Sequence, residues 1–179
     1  MARRAVFLDR DGVLNQSTVS NGRPYPPPSV ETLVIFDTSV QACKLLAEAG
    51  FLLIGVTNQP DIARGKTSKV VIDQINAAVT QATALDDMRV CPHDDADFCG
   101  CRKPKPGLLI DAAADFDIDL SSSIMVGDRW KDVDAGIAAG CRTVFIDYGY
   151  DEPAPTRVDF VCPSLFDAVP WITGVSPCQ

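Results

Sequence analysis

Short apolar runs alternate along the chain with segments of helical spacing. Ala5-Val6-Phe7-Leu8 is the first run, and Asp9 stops it. Such a run, bounded by polar residues, reads as a buried strand. Residues 16–30 form a polar loop stiffened by Pro24, Pro26, Pro27 and Pro28. Thr38 or Ser39 is placed to cap a helix running to about Ala49, with Gly50 as its stop. Phe51-Leu52-Leu53-Ile54-Gly55-Val56 is continuously apolar, as in a strand covered on both faces. Thr67 or Ser68 opens a long helix to about Leu85, Met88-Arg89-Val90 reads as a strand, and Pro106-Gly107 opens a helix to about Phe116. Ile124-Met125-Val126 is a strand, 131–139 a helix ended by Gly140, and Thr143-Val144-Phe145-Ile146 a further strand. Val158 to Val161 is a short last strand, with a small helix near 164–169.

This alternation predicts an α/β fold, a parallel sheet with helices on both faces. No repeat, low-complexity stretch or linker interrupts it, so residues 1–179 read as a single domain. In such sheets ligands bind at the carboxyl ends of the strands. The polar residues expected there are Asp9 and Asp11, then Thr57-Asn58-Gln59, then Asp128. Three strands thus bring phosphate or metal chemistry to one edge.

The composition, 46% hydrophobic and 22% charged, is that of an ordinary globular protein. The formal charge of -8 disfavours a nucleic-acid or anionic-membrane partner, because phosphate contacts need clustered Lys and Arg. It leaves room for a small phosphorylated substrate at a locally basic site. No run is long enough to span a bilayer. Met1-Ala2-Arg3-Arg4 before an apolar run has the outline of a signal peptide, but the run stops at Asp9 and reads as a strand. A reducing, cytoplasmic setting is therefore expected. There the seven cysteines serve as metal ligands or buried thiols rather than disulfides.

Asp9-Arg10-Asp11-Gly12 places two carboxylates two residues apart where a strand runs out, and in extended backbone residues i and i+2 point the same way. Gly12 lets the chain turn behind them. Two close anions need a cation or a division of roles. One carboxylate attacking phosphorus, the other moving a proton and a divalent metal between them would satisfy both. Thr57 and Asn58 offer a hydroxyl and an amide to phosphate oxygens. Asp128 sits at a strand tip and suits Mg²⁺, which takes few protein carboxylates. Asp132 and Asp134 fall in the first turn of a helix, where the dipole favours acids without any further role.

Cys91, His93, Cys99 and Cys101 form a C-x-H and a C-x-C pair joined by a five-residue loop, and His93 is the only histidine in the chain. Three cysteines and a histidine are a tetrahedral zinc set. With no water activator beside it, the site reads as closed and structural. It runs into Arg102-Lys103-Pro104-Lys105-Pro106, where Lys103 or Lys105 could neutralise phosphate charge and Arg102 could grip a second anion bidentately. Cys43, Cys141, Cys162 and Cys178 lack ligand spacing and read as buried or terminal thiols. Trp130 and Trp171 read as packing residues.

Taken together, these residues resemble those of the haloacid dehalogenase superfamily phosphatases. Asp9-x-Asp11-Gly12, Thr57-Asn58, a lysine and Gly127-Asp128 match that superfamily's four motifs in order, from residue 5 to about residue 134. The zinc loop running into Arg102-Lys103-Pro104 is similar to the subgroup of heptose 1,7-bisphosphate 7-phosphatases and histidinol-phosphatases. Thr57-Asn58-Gln59-Pro60-Asp61-Ile62-Ala63-Arg64-Gly65 resembles the heptose segment T-N-Q-S-G-I-A-R-G, with Pro60-Asp61 in place of Ser-Gly. The short zinc loop is closer to the histidinol-phosphatases.

The resemblance implies a Rossmann-like domain without a cap domain, since neither gap between the first motifs holds one, and an open site. It implies that Asp9 is the nucleophile and Asp11 the acid and base. Asp9, Asp11 (through its carbonyl) and Asp128 would hold Mg²⁺. Thr57 and Lys103 would stabilise the transferring phosphoryl group. Arg102 would recognise the part of the substrate that stays, with Asn58, Gln59 and Arg129 as further contacts, and the 16–22 loop would close over the sugar. The implied enzyme is a monomeric, Mg²⁺-dependent, zinc-stabilised phosphatase that removes the 7-phosphate of D-glycero-D-manno-heptose 1,7-bisphosphate, on the way to lipopolysaccharide. The alternative is histidinol phosphate, a cationic substrate, or another small phosphomonoester, whereas Arg102 and Arg64 favour an anionic one. The intact Asp9, Asp11, Lys103 and Asp128 set speaks against a silent zinc-bearing binding module, and the -8 charge against a DNA 3′-end phosphatase.

Overall fold

The structure, a computed structural model, describes residues 2–175, and Cys178 lies outside them. In chain order the elements are β1 (Ala5–Leu8), β2 (Thr18–Ser20), β3 (Arg23–Tyr25), α1 (Asp37–Glu48), β4 (Leu52–Asn58), α2 (Lys69–Thr83) and β5 (Asp87–Cys91). Then follow α3 (Gly107–Phe116), β6 (Ile124–Gly127), α4 (Trp130–Ala139), β7 (Arg142–Ile146), β8 (Phe160–Cys162) and α5 (Leu165–Thr173). Six strands form one parallel sheet in the order β5-β4-β1-β6-β7-β8.

β1 is central and fully buried, and its alternation sorts the two layers. Val6 and Leu8 join Leu46, Ile75 and Leu165 in the core under α1, α2 and α5. Ala5 and Phe7 join Leu109, Ala112 and Ala135 under α3 and α4. The chain leaves β1 for β4 and β5 on one side, then returns to β6 on the other. That reversal opens a crevice at the carboxyl ends of β1, β4 and β6.

Several boundaries differ from those expected, each for a local reason. α1 starts at Asp37 with Phe36 in the cap position, and no side chain caps it. Ser39 instead donates its hydroxyl to the Val13 carbonyl at 2.6 Å, tying the helix to the turn after β1. Ser68 does cap α2, accepting from the Val71 N–H. The last strand begins two residues later than expected and ends one later, at Cys162. Asp159 precedes it and accepts from both the N–H and the hydroxyl of Thr143 on β7. α5 continues through Pro170 to Thr173 because Ile172 extends its buried stripe. The 16–30 loop contains an antiparallel hairpin, β2–β3, turning through Asn21 and Gly22, both at positive φ. Asn-Gly is the usual sequence of a two-residue hairpin turn, a signal that the prolines obscured.

Candidate active site

β1 ends at Leu8, and strand alternation does not carry Asp9 to Asp11. The Asp9 N–H still donates to the Val126 carbonyl of β6, at 3.0 Å. The chain then winds into a tight turn, in which the N–H groups of Leu14 and Asn15 both donate to the Arg10 carbonyl. Gly12 makes the turn at φ +92°, and a Cβ there would sit 1.9 Å from Asp128 Oδ2. Only glycine lets the first turn and the tip of β6 touch.

Around this turn Asp9, Asp128 and Asp132 bring carboxylate oxygens within 4.8 Å of one another, all three buried. Lys103, itself 2% exposed, reaches between them and pairs with Asp9 Oδ1 at 2.8 Å and Asp132 Oδ1 at 2.6 Å. Burial, then the charge of Asp132, pushes Asp9 up to about 7, against the pull of Lys103. Burial also raises Asp128 well above the ordinary carboxylate range, reinforced by Asp9 and Asp132. For Lys103 burial works the other way, but Asp132 and Asp9 outweigh it and hold the ammonium above its usual value. One lysine faces three buried carboxylates, and Asp128 Oδ1 is buried with no hydrogen-bond partner. Hard oxygen donors with an orphaned lone pair fit a divalent cation such as Mg²⁺.

Asp132 therefore has more than the dipole role expected of it. Its Oδ2 accepts from the Arg129 N–H that opens α4, and its Oδ1 binds Lys103. Asp134 lies outside the group. Lys103 is the buried lysine, whereas Lys105 donates to the carbonyls of Phe98 and Cys99 and closes the loop that carries Cys99 and Cys101.

Asp11 lines the same cleft, but its carboxylate lies outside the acidic trio. Arg10 grips it with Nε at 3.2 Å and Nη2 at 2.9 Å, and Asn15 and Gln59 also donate to it. Gln59 bonds to the Thr57 hydroxyl as well, at 2.8 Å, so β4 and the first turn share one network. Asn58 faces the Lys103 main chain, donating to its carbonyl at 3.0 Å and accepting its N–H at 3.1 Å. It clamps the lysine segment rather than standing free for substrate. Arg10 is fully buried, its Nη1 donating to Asn76 on α2 at 2.7 Å. The sequence reading missed both. Asn76 carries a signal: it falls on the apolar stripe of Ile72, Ile75 and Val79.

Cys91 lies at the end of β5 beside His93, Cys99 and Cys101. Sulfur–sulfur separations are 3.2, 3.5 and 3.7 Å, and His93 Nδ1 lies 3.3 Å from Cys101 Sγ and 3.6 Å from Cys91 Sγ. Zinc–sulfur bonds of about 2.3 Å give tetrahedral edges of roughly 3.7 Å, so the four donors are spaced for zinc. They are too far apart for disulfides, and Cys43, Cys141 and Cys162 are buried free thiols. Trp171 packs as expected, stacked on Phe160, while Trp130 lines a smaller cavity behind Asp128.

The cleft above the trio holds about 340 Å³. Arg23, Arg64, Lys66, Arg102, Arg129 and Lys131 ring it, against Asp61, Asp95 and Glu152. Arg102 pairs with Asp95 at 2.7 Å and Arg129 with Glu152, so two of the expected substrate contacts are held by carboxylates. Arg64 pairs with Asp94 at 2.6 Å and Asp61 at 3.2 Å. The β2–β3 hairpin supplies Arg23, Pro24 and Tyr25 to the wall.

The HAD-hydrolase-like family model matches residues 100–168, which include Lys103 and Asp128. Over 97% of its length the chain is 34% identical to the D-glycero-beta-D-manno-heptose-1,7-bisphosphate 7-phosphatase of Pasteurella multocida, covering 98% of that protein. It is 32% identical, over 99% of its length and 97% of the relative, to the Burkholderia mallei enzyme named for the alpha anomer. The crystal structure of D,D-heptose 1,7-bisphosphate phosphatase from B. bronchiseptica, complexed with magnesium and phosphate, superposes with a TM-score of 0.78 at 30% identity. The match covers 97% of this chain and 99% of that one. With such relatives running its whole length, the chain belongs to the haloacid dehalogenase-like phosphatases.

Proposed function

We propose that the protein removes the 7-phosphate of D-glycero-D-manno-heptose 1,7-bisphosphate, as a single-domain, monomeric, cytoplasmic enzyme. The Asp9 carboxylate attacks phosphorus, the bond from phosphorus to the sugar oxygen breaks, and the Asp11 carboxyl passes a proton to that oxygen. Water then attacks the aspartyl-phosphate, Asp11 takes its proton back, and phosphate leaves. Lys103 and the Thr57 hydroxyl stabilise charge on the transferring phosphoryl oxygens. Asp9, Asp128 and the Asp11 carbonyl would hold Mg²⁺, with Asp132 beside them. Bound there, the ion would offset the charge of a phosphate entering an acidic site. Cys91, His93, Cys99 and Cys101 would hold a structural zinc that fixes the loop leading to Arg102 and Lys103. The unpaired buried thiols suit a reducing compartment.

The observation that carries this reading is the basic ring. Six Lys and Arg stand around the mouth of a cleft whose floor carries phosphoryl chemistry, on a chain of net charge -8. A substrate with a second phosphate gains more from that ring than histidinol phosphate does, because the ammonium group of histidinol phosphate offsets part of its phosphate charge. The names of the relatives point to the same sugar. Phosphorus NMR of the reaction tests it: the C7 signal should be lost while the C1 phosphate persists. Loss of the C1 signal first would overturn the assignment.

A further inference from the structure

Residues 147–152, after β7, take no part in the chemistry above, yet they touch the site at four points. Tyr148 donates its hydroxyl to the Gly12 carbonyl at 3.0 Å. Tyr150 donates its hydroxyl to Asp128 Oδ2 at 2.9 Å. The Asp151 N–H donates to the carbonyl of Gly22, at the hairpin tip, at 2.8 Å. Glu152 holds Arg129, with Nε at 2.8 Å from Oε2 and a second bond from Nη2. The two tyrosine rings brace each other, their centroids 5.6 Å apart.

The Tyr150 bond divides the labour of one carboxylate. Asp128 Oδ2 is wedged against Gly12 and takes the phenol proton, while Oδ1 is buried without a partner. Rotating the carboxylate would break the Tyr150 bond and leave a half-buried hydroxyl without this partner. We propose that Tyr150 is a positioning residue, which locks Asp128 so that Oδ1 alone is presented to the cation. This rests on the reading of Asp128 as a metal ligand. Partners that orient a ligand from behind typically contribute 10- to 100-fold in metal affinity.

Tyr150→Phe keeps the ring and removes only the hydroxyl. Calorimetric titration of the zinc-loaded protein with Mg²⁺ should give a dissociation constant raised about tenfold or more. The KM for the sugar bisphosphate at saturating Mg²⁺ should stay at its wild-type value. Tyr148→Phe, which loses the neighbouring bond but none to Asp128, should leave the Mg²⁺ constant unchanged. A Tyr150→Phe protein that binds Mg²⁺ as tightly as wild type overturns the proposal and leaves the proposed function standing. Equal weakening by Tyr148→Phe overturns the assignment to Tyr150. A wild-type protein that binds no Mg²⁺ overturns the metal reading and this proposal with it.

Discussion

Lys103 decides the electrostatics of the site. Among the described residues it is the one cation bonded within the trio of Asp9, Asp128 and Asp132, and two of those carboxylates lean on it directly. Removing one partner of a buried ion pair leaves the other charge uncompensated, at a cost of about 3–5 kcal/mol. Lys103→Met should therefore lower stability by roughly that amount in Mg²⁺-free buffer and reduce kcat by about 100-fold or more. Denaturant unfolding and phosphate release measure the two. A variant that unfolds like wild type would show that Lys103 does not hold the trio together. At this scale the sequence was an uneven guide. Asp9 and Asp128 are legible because they follow apolar strands directly. Asp132 is hidden, because an acid in a helix's first turn has a sufficient local explanation. Arg10 is hidden because nothing in D-R-D says that the arginine points inward. Asn76, which receives it, shows only as a polar residue on an apolar stripe.

The element that carries Lys103 to the floor is the cysteine–histidine loop. Residues 92–106 have no long regular structure, and their order comes from side chains. The Cys91, His93, Cys99 and Cys101 cluster, the Asn58 clamp on the Lys103 main chain and the Lys105 bonds to the loop carbonyls all hold it. Cys99→Ser should drop bound zinc from about one equivalent per chain to none, and kcat/KM should fall with it by at least about tenfold. Metal analysis by plasma mass spectrometry, with phosphate release on the same sample, checks this. Full activity without zinc would mean that the clamps suffice. The Cys91, His93, Cys99 and Cys101 cluster is readable from spacing alone, but the strap at 147–152 is not. Its tyrosines lie beyond a strand that carries no motif, although the rule that chemistry gathers past the carboxyl ends of strands reaches them too. The hairpin was legible in Asn21-Gly22 and lost among the prolines of its loop.

For the molecule as a whole, the alternation of apolar runs and helical spacing is enough to give the six parallel strands and the two helical layers. Strand order places β1 at the centre, and with it every motif at one edge. What the linear pattern does not carry is the distribution of charge. An acidic chain gathers six basic side chains around one cleft, contributed by the hairpin, the loop after β4, the cysteine–histidine loop and the start of α4. That gathering belongs to the fold, and on the proposed reading it favours an ester that carries a second phosphate. The most direct measurement compares Mg²⁺-dependent phosphate release from heptose 1,7-bisphosphate and from histidinol phosphate, with Asp9→Asn as the blank. The account predicts a preference for the bisphosphate of about 100-fold or more in kcat/KM, a gap of roughly 2.7 kcal/mol, and no release by Asp9→Asn. Equal or greater turnover of histidinol phosphate, or release that survives Asp9→Asn, would contradict it.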